Sequence, residues 1–333
     1  MIISQTPLRV SFVGGGSDLP AFYRQEGGAV LSVAIDKYVY VNVNRKFDSG
    51  TRVAYSRTEE VDSVEQIQHP IVRATMGYLG IRGGVEITTI ADIPSKGTGL
   101  GSSSTFTVGL LHALNAFRGQ YVSKAKLGAD SCLIEIELCG APIGKQDQYA
   151  AAFGGLNLIE FHPDESVSVT PLICPRDFIV SIEKQVLMFY TGITRSASDI
   201  LVRQSAGIER AAEKRKALRR MVELTYQLRD ELQRWNLDAF GEILHENWLL
   251  KKSLAEEITN DAIDGWYRRA LQAGAKGGKL LGAGAGGFLM FFAPPDRHDA
   301  IKVALGELQH IPVKFDFAGS RIVHYQPTSE LTQ

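Results

Sequence analysis

The chain has 333 residues, 44% hydrophobic and 22% charged, with 36 Lys and Arg against 37 Asp and Glu for a formal net charge of −1. That length accommodates two domains, and the balanced charge lacks the basic excess of a nucleic-acid-binding surface. The opening residues, Met1 to Pro7, have neither the basic region nor the long apolar core of a signal peptide, and no run reaches the ~18 apolar residues of a membrane span, so neither export nor membrane insertion is expected. Cys132, Cys139 and Cys174 are odd in number and form no C-x-x-C pair, which fits unpaired thiols in a reducing, cytoplasmic setting. The seven histidines are scattered, and no histidine metal site is expected.

In chain order, residues 2–13 read as a strand that ends at Gly14-Gly15-Gly16-Ser17-Asp18, where Ser17 or Asp18 would cap a short helix around 19–25. Residues 29–45 alternate strongly, as in Tyr38-Val39-Tyr40-Val41-Asn42-Val43, and predict a strand that continues after a turn at 52–55. A short helix is expected over 66–80 and another strand over 85–91. A glycine- and serine-rich loop, Pro94 to Ser104, then leads into a helix with apolar positions Phe106, Leu110, Leu111, Leu114 and Phe117. Ser123 would cap a helix over 124–138 whose apolar face, Leu127, Cys132, Leu133 and Ile136, leaves Glu135 and Glu137 on other faces. Gly140 and Pro142 stop it, and a second loop and helical turn follow at 144–149. Strands are expected at 155–161, 166–171, 178–182 and 186–191, with a seam near Pro171–Pro175 that divides the chain into domains 1–174 and 175–333. Residues 196–252 are helical and charge-rich, as in Glu209 to Arg215, and that charge run reads as a solvated face. A helix at 261–273, a glycine loop over Gly277–Gly287, a strand at 288–293, a helix at 296–308 and two closing strands complete the chain. Strands and helices interleave without a regular βαβ beat, which makes the fold class α+β.

A glycine loop that opens a helix is a device for holding anions: its N–H groups turn inward and the helix N-terminus adds about half a positive charge. Two familiar motifs are excluded. Gly282-x-Gly284-x-x-Gly287 has the letters of the dinucleotide fingerprint but runs into the strand Phe288–Phe292 rather than a helix, and Gly144-Lys145 lacks the Ser or Thr and the upstream glycine of a Walker A loop. Instead, three motifs occur in order: Pro7-x-Arg9 with Gly14 to Asp18, then Pro94-x₄-Gly99-Leu100-Gly101-Ser102-Ser103-Ser104, then Lys279-x-x-Gly282 to Gly287. Together they span nearly the whole chain and resemble the GHMP small-molecule kinases. Gly15-Gly16 stand where galactokinases carry an acidic residue and a histidine that grip galactose, which argues against that sugar. Gly14 to Pro20, Gly144 to Tyr149 and Tyr190 to Arg195 look most like the D-glycero-D-manno-heptose 7-phosphate kinases, with fucokinase-type domains next.

The resemblance implies a two-domain fold of mixed and antiparallel sheets covered by helices, with an active-site cleft between the domains. It implies phosphorylation of the anomeric (C1) hydroxyl of a sugar phosphate, with ATP and Mg²⁺ as cofactors. Gly97, Gly99, Leu100, Gly101, Ser102, Ser103 and Ser104 would cradle the nucleotide, and Ser103 and Glu135 match the metal-ligand positions. Asp147 matches the catalytic aspartate, and Arg9 the arginine beside it that stabilises the transferring phosphoryl group. Gly15, Gly16, Ser17 and Asp18 would face the sugar, and the third loop, with Gly284 and Ala285, would approach it by backbone contacts. Arg195 is the leading candidate for a substrate phosphate, with Lys96, Arg45 and Lys46 competing. Competing readings are a fucokinase-like or other GHMP kinase, a non-catalytic sugar and nucleotide sensor, and a decarboxylase on the same fold. Oligomeric state is not read from the sequence.

Overall fold

The computed structural model describes residues 1–94, 99–193 and 197–327. The first half runs β1 (Ile2–Val13), α1 (Pro20–Glu26), β2 (Gly28–Arg45), β3 (Thr51–Ala54), β4 (Thr58–Val61), α2 (Pro70–Leu79), β5 (Val85–Ala91), α3 (Ser102–Phe117), α4 (Lys124–Cys132), α5 (Gln146–Phe153), β6 (Leu156–Phe161) and β7 (Val167–Pro171). The second half runs α6 (Arg176–Glu183), β8 (Val186–Tyr190), α7 (Ala197–Arg210), α8 (Ala212–Gln233), α9 (Phe240–Ser253) and α10 (Asp261–Gln272). It closes with β9 (Gly277–Leu280), β10 (Phe288–Phe292), α11 (His298–Ala304), β11 (Gln309–His310) and β12 (Arg321–Tyr325). Among these residues no helix is long and apolar enough to cross a membrane.

The strands form two sheets. In the larger, the order is β12-β1-β2-β5-β3-β4, and β6 and β7 extend from the first half of β2. All its pairings are antiparallel except β3 with β5. The smaller sheet, β11-β8-β10-β9, is antiparallel throughout. β2 can serve two sets of partners because it runs for 18 residues, Gly28–Val33 pairing with β6 and Val39–Arg45 with β5. The two sheets share one core: the ring of Phe12 on β1 meets Phe240 of α9 edge-on at 5.2 Å, and Phe240 stacks on Phe292 of β10 at 4.2 Å. The last strand, β12, returns to pair with β1.

Helix α3 lies close on β1 because Gly109 has no side chain. A Cβ there would stand 2.9 Å from Thr6 Oγ1, and the Ser4 hydroxyl instead donates to the Gly109 carbonyl at 2.8 Å. The N-terminal turn of α3 meets the middle of β1, where Thr105 Oγ1 donates to the Pro7 carbonyl at 3.4 Å.

Several expectations are corrected. Residues 178–182 are helical, not a strand: Ile179 and Ile182 are the buried pair, one helical turn apart, and the β-branched run disguised that period. The glycine stretch begins as strand β9, whose glycines admit the backbone of α9; a Cβ on Gly277 would run into the Gly241 carbonyl. The predicted helix over 124–138 is α4, capped by Ser123 as expected, followed by one turn of π-helix at Leu133–Leu138. The extra residue in that turn rotates the side chains: Leu133 is exposed, while Ile134 and Glu135 are buried. Asp18 and Ser17 do not cap α1; Leu19 precedes it and Pro20 opens it.

Candidate active site

The second half of β1, the loop before α3 and the first turn of α5 meet at Arg9. This guanidinium is 4% exposed. Its Nε and Nη2 both reach Asp147 Oδ1 at 2.6 Å, and Nη1 donates to the Gly99 carbonyl at 2.8 Å. The Arg9 N–H donates to the Leu100 carbonyl at 3.3 Å, so one residue fixes both the glycine loop and the aspartate. Because both nitrogens address the same oxygen, Asp147 Oδ2 is turned toward the loop. A Cβ on Gly101 would lie 3.0 Å from it, and Gly101 has φ +75°, so glycine satisfies the close approach and the left-handed turn together. Asp147 sits in the first turn of α5, with Lys145 preceding the helix, so it is not the helix cap.

Glu135 faces the other side of the same helix start. Ser103 Oγ donates to Oε1 at 2.8 Å and Gln148 Nε2 to Oε2 at 2.7 Å. Burial raises its pKa and the nearby Asp147 adds to the rise, while hydrogen bonds from Ser104, Ser103 and Gln148 oppose it. The π turn is what brings Glu135 inward. The Gln148 Oε1 is buried with no hydrogen-bond partner among the described residues. A lone buried carboxylate, a serine hydroxyl and a spare amide oxygen are all hard donors, and they fit Mg²⁺ shared with phosphate oxygens. Among the described residues no three His, Cys, Asp or Glu side chains converge as an all-protein metal cage.

The first glycine loop lies beside this pair and is buried. Asp18 Oδ1 accepts from the Gly16 N–H at 3.0 Å and from Gln146 Nε2 at 2.9 Å, and Oδ2 from the Gln146 N–H at 3.3 Å. Burial raises the Asp18 pKa, with Asp147 adding to the rise. Ser17 braces the loop: its hydroxyl donates to the Ala29 carbonyl and accepts from the Ala29 N–H, at 3.0 and 3.1 Å. Gly15 approaches Ser11 and Gln146. The third loop closes on the second, for a Cβ on Gly282 would run into Gly99. Gly284 packs on Ile258, and Ala285 (φ +62°) donates its N–H to the Ile258 carbonyl at 2.9 Å. Gly97, Lys96 and Arg195 lie outside the described residues. Lys46 is engaged by Asp48 and, at 3.2 Å, by Glu60.

Sequence reasoning missed Lys251 and Gln204, which cover the first glycine loop from α9 and α7, and Gln146 and Gln148. Lys251 Nζ donates to the Gly15 carbonyl at 3.3 Å and to Gln204 Oε1 at 3.1 Å. The signal was present: Leu244, Asn247, Trp248 and Lys251 fall on one helical stripe, all buried, so two polar residues interrupt an apolar face. Reading the charge run of this helical stretch as a solvated face drew attention away from them.

The model of the GHMP kinase N-terminal domain matches residues 66–155, and that of the C-terminal domain matches 228–309. The D-glycero-alpha-D-manno-heptose 7-phosphate kinase of Campylobacter jejuni is 33% identical, covering 95% of this chain and 96% of its own length. The galactokinase of Pyrococcus furiosus is 25% identical over 97% of each chain. The solved structure of a D-glycero-D-manno-heptose 1-phosphate kinase from Bacteroides thetaiotaomicron superposes with a TM-score of 0.81 at 26% identity, covering 98% of this chain and 100% of that one. Fold and relatives alike define an ATP-dependent phosphotransferase. The chain belongs to the GHMP kinase family.

Proposed function

We propose that this protein transfers the γ-phosphoryl group of ATP to the anomeric hydroxyl of a sugar phosphate, with D-glycero-D-manno-heptose 7-phosphate as acceptor and the 1,7-bisphosphate as product. The observation that carries this reading is the Arg9–Asp147 pair held against Gly101 at the N-terminus of α3. The similarity to the Campylobacter jejuni enzyme supports the acceptor class.

In this reading the N–H groups of Gly101 to Ser104 and the dipole of α3 bind the nucleotide's phosphates, continuing a cradle from Gly97, Gly99 and Leu100. Asp147 Oδ2 takes the proton of the C1 hydroxyl as that oxygen bonds to the γ-phosphorus, and the bond to the ADP oxygen breaks. Arg9 orients Asp147 through Oδ1 and offsets the charge that gathers on the transferring group. Ser103 and Glu135 would hold Mg²⁺, which supplies charge neutralisation for the phosphate oxygens. Asp18 positions a sugar hydroxyl, with Gly15, Gly16, Gly284 and Ala285 shaping the surrounding wall and Ser17 bracing it. Arg195 is kept as a sequence-based candidate for the substrate phosphate. The division into domains 1–174 and 175–333 is likewise a proposal, with β12 crossing back to the first sheet, and a cytoplasmic location accords with ATP as donor.

The test is ADP release with ATP and Mg²⁺ across an acceptor panel: heptose 7-phosphate, unphosphorylated heptose, fucose, galactose and mevalonate. Selective turnover of the heptose phosphate supports the reading. Turnover of another acceptor replaces the substrate, and nucleotide binding without turnover of any acceptor replaces the kinase by a sensor.

A further inference from the structure

Gly16 leaves a space that two polar side chains from the second half of the chain fill. It has φ +106°, and a Cβ on it would come within 2.5 Å of Gln204 Nε2 and 3.2 Å of Lys251 Nζ. Lys251 is 6% exposed and Gln204 0%. The Lys251 ammonium is met only by neutral oxygens, of Gly15 and Gln204, and among the described residues no carboxylate lies within ion-pair distance of it. The Gln204 Nε2 is buried with no acceptor among the described residues, and the Ser11 hydroxyl nearby also lacks a partner there. A second buried lysine, Lys279, whose pKa burial lowers well below the usual value, donates to the carbonyls of Ser11 and Phe12, at 2.8 and 3.2 Å. The Arg9 guanidinium is already committed to Asp147.

A buried cation without a counter-charge is costly, as is a buried N–H without an acceptor. Here both occur side by side, and one ligand would answer both. An ammonium and an amide N–H are donors only, so that ligand is an acceptor, and a buried ammonium without a counter-charge selects an anion. The place is set relative to the chemistry: Gln146, which binds Asp18 beside Gly16, is the immediate neighbour of Asp147. Burial pushes the Lys251 ammonium down to about 8, opposed by Asp18, so at neutral pH it still carries charge for an anion to meet.

We propose that Lys251, with the Gln204 amide as second donor, holds the non-reacting phosphate of the sugar phosphate, and so selects phosphorylated over unphosphorylated acceptors. This rests on the kinase reading above and gives to Lys251 the contact that the sequence suggested for Arg195.

The test compares kcat/KM for heptose 7-phosphate with that for unphosphorylated heptose in the wild type and in Lys251→Met, Gln204→Leu and Arg195→Met. Loss of one charge-assisted contact lowers the ratio of the two values about 10- to 100-fold in Lys251→Met and less in Gln204→Leu, while the KM for ATP changes less than about threefold. An equal fall for both sugars, with the ratio kept, overturns the proposal and makes Lys251 a structural brace. A rise in the KM for ATP instead assigns the contact to the nucleotide, and a ratio that collapses only in Arg195→Met assigns it to that residue; both overturn it. If the wild type phosphorylates no sugar phosphate, the kinase reading is what fails. Stabilisation by inorganic phosphate in thermal unfolding then decides for Lys251: protection in the wild type that is lost in both Lys251→Met and Gln204→Leu supports an anion site, and equal protection overturns it.

Discussion

Asp147 reaches Arg9 with one oxygen and the glycine loop with the other, and this division of labour gives a sharp expectation. Asp147→Asn keeps the volume and removes the proton acceptor, so kcat should fall by about 10²–10⁴ while ATP affinity, measured by calorimetry, stays within a few-fold. A variant that turns over normally would reduce Asp147 to a structural partner of Arg9. Gly16 carries a second residue-scale expectation. Gly16→Ala must place a methyl against Gln204 and Lys251 at a backbone angle that disfavours side chains. It should lower both the melting temperature and the affinity for the sugar substrate, whereas Gly119→Ala, also at positive φ (+68°) but with nothing within 4 Å of its Cβ, should lower stability alone. Arg9 and the glycines were legible in the sequence because their spacing is local to three motifs, and Asp147 because the Gly144–Tyr149 segment resembles that of related kinases. Lys251 and Gln204 were not, because what they face is set by the packing of distant helices, and charge on a helix reads as solvated until a partner element is known.

At the scale of elements, the π turn after α4 turns a carboxylate that a regular helix would leave outside into the site. Its pKa is raised, so above the ordinary carboxylate range the folded state holds a proton that the unfolded chain has lost, and stability falls as pH rises. Glu135→Gln removes that penalty. The variant should melt at the same or a higher temperature than the wild type near pH 7 without ligand, yet lose the additional stabilisation that Mg²⁺ gives to the ATP complex over ATP alone. Retention of that increment would place the cation elsewhere. The family resemblance marked Glu135 as a ligand candidate, but the helical reading left it off the buried apolar face. A single inserted residue in a helix has no compositional mark, and the register of every side chain after it depends on it. The same holds for residues 178–182, where β-branched residues favoured a strand and tertiary burial at helical spacing prevailed.

Across the whole molecule, the two sheets are joined through Phe12, Phe240 and Phe292, and the chain's end is tied back to its start by β12. Phe240→Ala should cost about 3–5 kcal/mol in chemical denaturation, and its effect should register in both sheets at once. The return of the chain is fixed by a small polar cluster: Ser320 Oγ lies 2.9 Å from Thr6 Oγ1 and 3.0 Å from His112 Nδ1. Burial pushes the His112 pKa down to about 4. Between that value and the ordinary 6.5 the unfolded chain binds a proton that the folded protein refuses, so this contribution is whole above pH 6.5 and is lost as pH falls toward 4. His112→Gln should flatten that part of the stability profile; an unchanged acid limb would show that other groups govern it. The central claim concerns which oxygen receives the phosphoryl group. It is tested most directly by phosphorus and proton magnetic resonance of the product formed from ATP, Mg²⁺ and heptose 7-phosphate. The account predicts one new phosphorus signal coupled to the anomeric proton, appearing in step with ADP while the 7-phosphate signal persists. A new phosphate on any other carbon, or consumption of ATP that leaves the sugar unchanged, would contradict it.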